Sequence, residues 1–186
     1  MTLPIRAIVL IDAANYHYAL TNRGWRIDWQ RFVEFCSRRF GECLFFYYEG
    51  TPSKTHYFDR NPGRSIEDFQ KRKKGKQDYF RHLKNRGFIV RTKPIHSVYD
   101  DSLGARRHKC NFDVELTIDA IVNLESCGRI VLCSGDSDFD RLLRFCKSRG
   151  RRTTLIADSK RMHWGLAKTA NQTIYLEDLR EEIAER

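Results

Sequence analysis

Three aspartates at alternate positions give the chain its densest acidic cluster, Asp136, Asp138 and Asp140. A helix N-cap explains one of them, because Asp accepts hydrogen bonds there and offsets the positive helix end. Capping does not explain three, since like charges packed this closely repel one another. A bound divalent cation would remove that repulsion, and an all-oxygen site favours Mg²⁺ or Mn²⁺ over zinc. The cluster is therefore a candidate metal site, with capping as the structural alternative.

The cluster follows a short apolar run, residues 130–133, which is typical of a strand buried on both faces. Ser134 and Gly135 end this run and permit a tight turn. An apolar stripe with helical spacing comes next, formed by Phe139, Leu142, Leu143 and Cys146. The acidic residues thus belong to a strand-to-helix turn. In an open parallel sheet such a turn lies at the carboxyl end of the strand, where ligands bind.

A second carboxylate, Asp12, follows another buried-strand run at residues 7–11. Its structural interpretation is a cap or turn residue. Its functional interpretation is a ligand at the carboxyl end of the first strand, with Asn15 beside it as a hydrogen-bond donor or a further ligand. If the two strands flank the point where the winding of the sheet reverses, the carboxylates of Asp12 and Asp136 meet in one crevice.

A third carboxylate, Asp113, lies in the first turn of a helix predicted at residues 111–121. The core-facing stripe of this helix consists of Asp113, Leu116, Thr117, Ala120, Ile121 and Leu124. A lone carboxylate on that face is costly unless it is paired or bound to a metal. Asp119 falls about 120° from Asp113 on an ideal helix, so we do not expect it to bind the same ion directly.

Strands and helices alternate along the chain. Apolar or β-prone runs predict strands at residues 7–11, 42–48, 87–92, 130–133, 153–157 and 173–175. Helical patterns begin at residues 16, 29, 66, 111, 139, 160 and 177. We expect a polar loop at residues 49–63, and either a hairpin or a mobile loop at residues 93–109. This order predicts an α/β three-layer sandwich with a mostly parallel central sheet flanked by helices.

Length and composition predict a single domain over residues 1–186, since 186 residues with 41% hydrophobic content can bury one sizeable core. The six cysteines show no zinc-binding spacing, and several lie on apolar stripes. We interpret most of them as buried free thiols, which favours a reducing, cytoplasmic compartment. Residues 1–11 are too short for a signal peptide or a membrane span, and no other stretch is apolar enough to cross a bilayer.

The net charge of +10 favours a polyanionic partner, because a basic surface attracts a phosphate backbone. Two basic segments are candidate RNA-binding surfaces, one on a helix and one at the end of the irregular region. They contribute Lys71, Arg72, Lys73, Lys74, Arg106, Arg107 and Lys109. The structural alternative for the helical run is a solvated face.

Together these segments resemble the NYN family of PIN-like nucleases, in particular its LabA-like group. The resemblance is carried by residues 11–15 (IDAAN), 112–119 (FDVELTID) and 134–139 (SGDSDF), in this order. It covers nearly the whole chain. Two local departures are Ala13, where the family often has Gly, and Lys109-Cys110-Asn111-Phe112, where it often has a Lys-Gly pair.

The resemblance implies a Rossmann-like sheet and metal-dependent cleavage of RNA, single-stranded or structured, with Mg²⁺ or Mn²⁺ as cofactor. By this resemblance the catalytic and metal-binding set is Asp12, Asp113, Asp136 and Asp138. The supporting residues are Asn15, Ser134, Asp119 and Asp140.

Other functions remain open at this point. A non-catalytic RNA-binding module would keep the fold, and a toxin of the PIN type would use the same chemistry. A Toprim-like phosphotransfer enzyme has a comparable Asp-x-Asp turn but needs Glu where Asp12 stands. A haloacid-dehalogenase phosphatase needs Asp at Ala14, and a dinucleotide enzyme needs a glycine-rich turn that is absent. If Trp25 or Trp164 is exposed, it marks a homodimer face; the alternative for either is a core role.

Overall fold

The computed structural model describes residues 5–102 and 104–186. Residues 1–4, which belong to the segment judged too short for a signal peptide, lie outside these ranges. Residue 103 of the irregular region lies outside them as well. The strands are β1 (Ala7–Asp12), β2 (Cys43–Thr51), β3 (Phe88–Pro94), β4 (His96–Asp100), β5 (Ala105–Lys109), β6 (Arg129–Cys133), β7 (Arg152–Ala157) and β8 (Gln172–Tyr175). Six of them form one sheet in the order β3-β2-β1-β6-β7-β8. Each neighbouring pair in this sheet is parallel.

Helices cover both faces of the sheet, as predicted. They are α1 (Ala13–Arg23), α2 (Trp29–Phe40), α3 (Lys54–Arg60), α4 (Ile66–Lys84), α5 (Asp113–Val122), α6 (Asp140–Ser148), α7 (Trp164–Thr169) and α8 (Arg180–Ile183). Helices α1, α2, α4 and α8 share one apolar core with the sheet, and α5, α6 and α7 share a second core. None of these helices combines the length and the apolarity that a bilayer crossing needs.

Alternation along β1 divides its side chains between the two cores. Ala7, Val9 and Ile11 belong to the first core, whereas Ile8 and Leu10 belong to the second. This follows from the two-residue period of a strand, which directs successive side chains to opposite faces. The uninterrupted apolar run thus has the burial on both faces that the sequence predicts.

The predicted loop at residues 49–63 is wrong. Strand β2 continues to Thr51, and α3 follows it directly. Ser53 caps α3 by accepting a hydrogen bond from the His56 backbone N–H at 3.2 Å. Tyr57 anchors the helix because its ring is buried and lies 5.4 Å from that of Phe69 on α4. Seven residues are too few to show a helical stripe, so the sequence pattern resembled a loop.

The irregular region at residues 93–109 contains a hairpin, one of the two predicted alternatives. Its strands β4 and β5 are antiparallel and form a sheet of their own. Ser97 on β4 donates a hydrogen bond to Asp59 on α3 at 2.6 Å. The hairpin is therefore held against α3, and its second strand presents the basic residues Arg106, Arg107 and Lys109 to solvent.

One predicted burial assignment differs from the structure. Ile121 lies on the predicted core-facing stripe of its helix but is 44% exposed. It is the second-last residue of α5. Trp25 is buried in the first core and Trp164 is exposed, so only Trp164 keeps the predicted surface role. The six cysteines are free thiols and four of them are buried, in agreement with the interpretation from the sequence.

Candidate functional site

The sheet reverses its winding between its two central strands. From β1 the chain proceeds outward through β2 and β3, whereas from β6 it proceeds in the other direction through β7 and β8. Such a switch point opens a crevice at the carboxyl ends of the strands. Ile11 pairs in register with Cys133, so Asp12 and Ser134 leave the sheet side by side. This places the polar ends of two distant segments at one position.

Hydrogen bonds join the two segments within the crevice. Ser134 is fully buried, and its hydroxyl donates to Asp12 Oδ2 at 3.0 Å. The backbone N–H of Gly135 donates to Asn15 Oδ1 at 3.1 Å. Asp12 also caps α1, since its Oδ1 accepts from the Asn15 backbone N–H at 3.3 Å. Asp12 therefore has the predicted cap role, and Asn15 and Ser134 orient the loops on either side of it.

The turn after β6 is fixed by its own carboxylate. The backbone N–H of Asp136 donates to Ser134 Oγ at 3.3 Å, and that of Asp138 donates to Asp136 Oδ1 at 3.1 Å. Asp136 is thus the N-cap of a short 3₁₀ helix, Ser137–Phe139, that leads into α6. Capping accounts for one oxygen of one carboxylate, as the sequence argument expected. Asp138 is exposed at the surface of the same turn.

Gly135 is favoured at this turn because a side chain there would be crowded by the neighbouring backbone. A Cβ atom on it would lie 3.0 Å from Arg161 O and 3.0 Å from Met162 Cα. These are backbone atoms of the segment between β7 and α7. The Gly135 carbonyl accepts a hydrogen bond from the His163 N–H at 3.1 Å, which holds that segment against the acidic turn.

Asp113 completes the acidic group from a third direction. It begins α5, and its backbone N–H donates to Asn111 Oδ1 at 2.6 Å while Asn111 Nδ2 donates back to the Asp113 carboxylate. A cavity of about 330 Å³ is lined by Asp12, Ala14, Asn15, Tyr18, Cys110, Asn111, Phe112, Asp113, Asp136 and Arg161. Three of the four carboxylates predicted as metal ligands therefore line one cavity.

Burial and mutual repulsion disfavour the ionised form of the carboxyl groups that line the cavity. Burial raises the pKa of Asp12, hydrogen bonds from Asn15 and Ser134 oppose this, and the charges of Asp113 and Asp136 raise it further. Burial likewise raises the pKa of Asp113, with added repulsion from Asp136 and Asp138. Each pKa lies above the ordinary Asp value of 3.8. A cation among these groups would relieve the repulsion.

The donor set fits a hard divalent cation, since it consists of carboxylate and amide oxygens. Within residues 5–102 and 104–186, however, no three Asp, Glu, His or Cys side chains are arranged closely enough to hold a metal ion. The two observations are compatible for Mg²⁺, because this ion keeps several waters and needs only one or two carboxylates beside a substrate phosphate.

Two of the predicted supporting carboxylates have other partners. Asp119 accepts hydrogen bonds from Tyr48 at 2.9 Å and from Arg91 at 2.9 and 3.1 Å, an arrangement that ties α5 to strands β2 and β3. Asp140 accepts from Arg144 at 2.7 Å and from the Thr169 hydroxyl. Both carboxylates stabilise the scaffold, so their contacts do not support the supporting role at the crevice that the resemblance implies for them.

The predicted RNA-binding residues are all at the surface. Lys71, Arg72, Lys73 and Lys74 are exposed on α4, which agrees equally with a solvated face. On the hairpin, Arg107 pairs with Asp100 at 3.1 Å and Arg106 lies 3.9 Å from Asp59. Lys109 is exposed and directly precedes residues 110–112, which line the cavity. Of the predicted RNA-binding residues, those of the hairpin are therefore nearest in sequence to the acidic group.

Sequence reasoning missed Tyr18 and Arg161, which line the same cavity. A signal for Tyr18 was present: it lies three residues after Asn15 and off the apolar stripe of α1, so it had to be an exposed aromatic beside Asn15. Arg161 had no comparable signal, because its position depends on the approach of its backbone to Gly135.

A larger cavity of about 830 Å³ lies on the other side of α1. Its aromatic lining is already joined by hydrogen bonds: the Tyr47 hydroxyl lies 3.1 Å from both Glu49 Oε2 and the Tyr79 hydroxyl. Glu49 also pairs with Lys76 and, at 3.1 Å, with His17. These groups satisfy one another, so the cavity is best explained as a polar network that anchors α1 and α4 to the end of β2.

Comparisons with known proteins agree with this architecture. A family model described as "NYN domain" matches residues 6–177. The low amplitude and bright protein LabA of Synechococcus elongatus is 28% identical over 181 residues, which cover 97% of this chain and 88% of that protein. A crystal structure of a Vibrio parahaemolyticus protein of unknown function superposes with a TM-score of 0.71 at 22% identity, covering 100% of this chain and 99% of that chain. The last likeness concerns the fold alone.

Proposed function

Since the chain belongs to the NYN domain family, we propose that it is a metal-dependent ribonuclease acting at the acidic crevice between β1 and β6. The family is generally nuclease-like, and NYN and PIN-like nucleases usually use divalent metals. The proposed reaction is hydrolysis of an RNA phosphodiester bond.

One observation carries the proposal. Asp12, Asp113 and Asp136 come from segments far apart in the sequence, yet they line a single cavity at the switch point of the sheet. Buried carboxylates that repel one another destabilise a fold, so their convergence needs a compensating function. Hydrogen bonds engage both oxygens of Asp12 but one oxygen each of Asp113 and Asp136. Each carboxylate oxygen has two lone pairs, so acceptor capacity remains for a cation.

In the proposed mechanism Asp12, Asp113, Asp136 and Asp138 would hold Mg²⁺ or Mn²⁺, one or two of them directly and the others through the waters that such an ion keeps. The ion would supply an activated water and stabilise the departing oxygen. Ser134 and Asn15 hold Asp12 and the turn after β6 in place, so the carboxylates need not reorganise when the substrate arrives. Lys71, Arg72, Lys73, Lys74, Arg106, Arg107 and Lys109 would attract and position the phosphate backbone.

A second function, RNA binding without cleavage, is favoured by one observation. No three side chains in the described ranges are close enough together to hold a metal without further movement or a bound phosphate. A module that only binds RNA would keep the basic surface and need no metal. The two functions therefore agree on binding and differ on cleavage.

The test is cleavage of a labelled RNA with Mn²⁺ or Mg²⁺, followed for the wild type, Asp136→Asn and Asp138→Asn. Asp178→Asn, which removes an exposed carboxylate from the C-terminal segment, is the matched control. We expect cleavage by the wild type and the control, loss of at least 100-fold in the two crevice variants, and abolition by EDTA. Binding of RNA by every variant with no cleavage under any metal would favour the binding module instead.

A further inference from the structure

We propose that exposed aromatic side chains beside the acidic crevice form a stacking site for unpaired bases of the RNA. The site consists of Tyr18 with Arg161, and of His163 with Trp164. It rests on the proposed function, because it assigns the place of the bases that flank the phosphodiester in the crevice. It concerns binding, however, and is tested apart from cleavage.

Tyr18 and Arg161 form the part of the site nearest to the carboxylates. The Tyr18 ring is 61% exposed, and the Arg161 guanidinium carbon lies 3.6 Å from its centroid. Both residues line the cavity that contains Asp12, Asp113 and Asp136. The cation–π contact holds the ring in one orientation and leaves much of its surface free. A nucleotide whose phosphate enters the cavity therefore has its base within reach of an ordered aromatic ring and a guanidinium plane, the two groups on which bases stack.

His163 and Trp164 extend this surface along the β7–α7 segment. Trp164 is 66% exposed, and its ring is stacked on that of His163 with centroids 5.9 Å apart and an interplanar angle of 26°. The Lys168 ammonium lies 4.5 Å from the Trp164 centroid. So large an exposed indole contributes little to the core, and the adjacent cation gives the surface the charge that suits a phosphate backbone.

The two parts are fixed relative to the acidic turn. Arg161 and Met162 pass close to Gly135, whose Cβ position is only 3.0 Å from their backbone atoms, and the His163 N–H donates to the Gly135 carbonyl at 3.1 Å. The Arg161 and Met162 N–H groups both donate to the Asp158 carbonyl, which shapes the turn. The aromatic surface is thus attached to the same backbone that presents Asp136, so stacking there would place a strand relative to the carboxylates.

This arrangement selects single-stranded RNA. Base stacking on an aromatic ring tolerates any sequence, because every base offers a π-face. Bases in an A-form duplex are already stacked on one another and cannot reach these rings. A strand bound only through its phosphates would be held equally well when paired, so a strand preference that depends on Tyr18 and Trp164 is specific to the proposed site.

The test is a binding titration in EDTA, so that no cleavage occurs. Fluorescence anisotropy of a labelled ten-nucleotide single strand and of the corresponding duplex is compared at fixed ionic strength. The proteins are the wild type, Tyr18→Ala, Tyr18→Phe, Trp164→Ala and, as an exposed aromatic on the edge strand β8, Tyr175→Ala.

We expect Tyr18→Ala and Trp164→Ala each to weaken single-strand binding by roughly 5- to 150-fold, and duplex binding by less than twofold. Tyr18→Phe keeps the ring and should bind like the wild type, as should Tyr175→Ala. Unchanged single-strand affinity in both alanine variants, or equal losses for single strand and duplex, would overturn the proposal. Loss of binding as expected in a protein that cleaves no RNA with any metal would leave the stacking site standing and reject the nuclease.

Discussion

Replacing Ser134 by alanine tests the link between the two central strands. The Ser134 hydroxyl is fully buried; it donates to the Asp12 carboxylate at 3.0 Å and accepts from the Asp136 N–H at 3.3 Å. Alanine keeps the Cβ atom, so the packing of the turn hardly changes. What is lost is one hydrogen bond to a charged group and a longer one to a backbone N–H.

The expected cost is about 2–3 kcal/mol, because a hydrogen bond to a charged group contributes about 1.5–3 kcal/mol and the longer bond adds little. In urea this corresponds to a decrease of about 1 M in the unfolding midpoint with an unchanged slope for a chain of this size. The measurement is equilibrium unfolding in EDTA, so that no cation compensates for the lost hydrogen bond.

Ser148→Ala is the matched control. Ser148 is exposed at the end of α6, and its hydroxyl donates to the Phe145 carbonyl at 2.8 Å. We expect its removal to change stability by no more than about 0.5 kcal/mol, as is usual for surface positions. If Ser134→Ala were as stable as Ser148→Ala, the buried link between Asp12 and the turn after β6 would not exist in the form described.

Three further changes test other parts of the structure. Gly135→Ala should destabilise the protein by about 1–3 kcal/mol, since the new methyl group meets backbone rather than a yielding side chain; Gly128→Ala, where the nearest atom is 3.6 Å away, should be milder in the same urea titration. Gly75→Ala should raise stability by about 0.5–1 kcal/mol, because this glycine lies within α4 with open space around its Cβ position, and a lower thermal midpoint would contradict it. Glu49→Gln should cost about 1–3 kcal/mol at pH 7. Burial disfavours the charged form of Glu49, but His17 and Lys76 outweigh burial and lower its pKa below the ordinary value of 4.5. The stability that Glu49 contributes is therefore present above pH 4.5 and is lost as the pH falls through the lowered pKa. A difference in stability between the two proteins that grows on acidification would refute this sign.

The fold was predictable because its strongest signals are local. The apolar runs before Asp12 and before Ser134 each required burial on both faces, and this requires a sheet covered by helices on both sides. The alternation of strands and helices then leaves few topologies, and the parallel sheet is the observed one. The resemblance to the NYN family, including its LabA-like members, is confirmed by the family match and by the relative from Synechococcus.

The features that could not be predicted depend on contacts between distant segments. Helix α3 is stabilised by Tyr57 against Phe69, which no local pattern shows. The resemblance implies a supporting role for Asp119 on α5, whereas its observed partner Arg91 lies on β3, far from it in the sequence. The stacking of Arg161 on Tyr18 requires the close approach at Gly135, which only the three-dimensional structure shows.

The outer face of α5 is apolar but exposed, which the sequence did not predict. Val114, Ile118 and Val122 are all more than half exposed, although they are apolar. A helical wheel divides a helix into faces but does not say how many of those faces another layer covers. Leu116 and Ala120 of the predicted stripe are buried, whereas Ile121 of the same stripe and the residues of the outer face are exposed.

Binding of Mn²⁺ measured by isothermal titration calorimetry tests the central claim most directly, namely that carboxylates from three distant segments form one cation site. The proteins are the wild type, Asp12→Asn, Asp113→Asn and Asp136→Asn, with Asp178→Asn as the control. The account predicts one class of sites in the wild type and the control, with affinity at least tenfold weaker in each crevice variant. Equal affinity in all five proteins, or no binding with RNA present or absent, would contradict it.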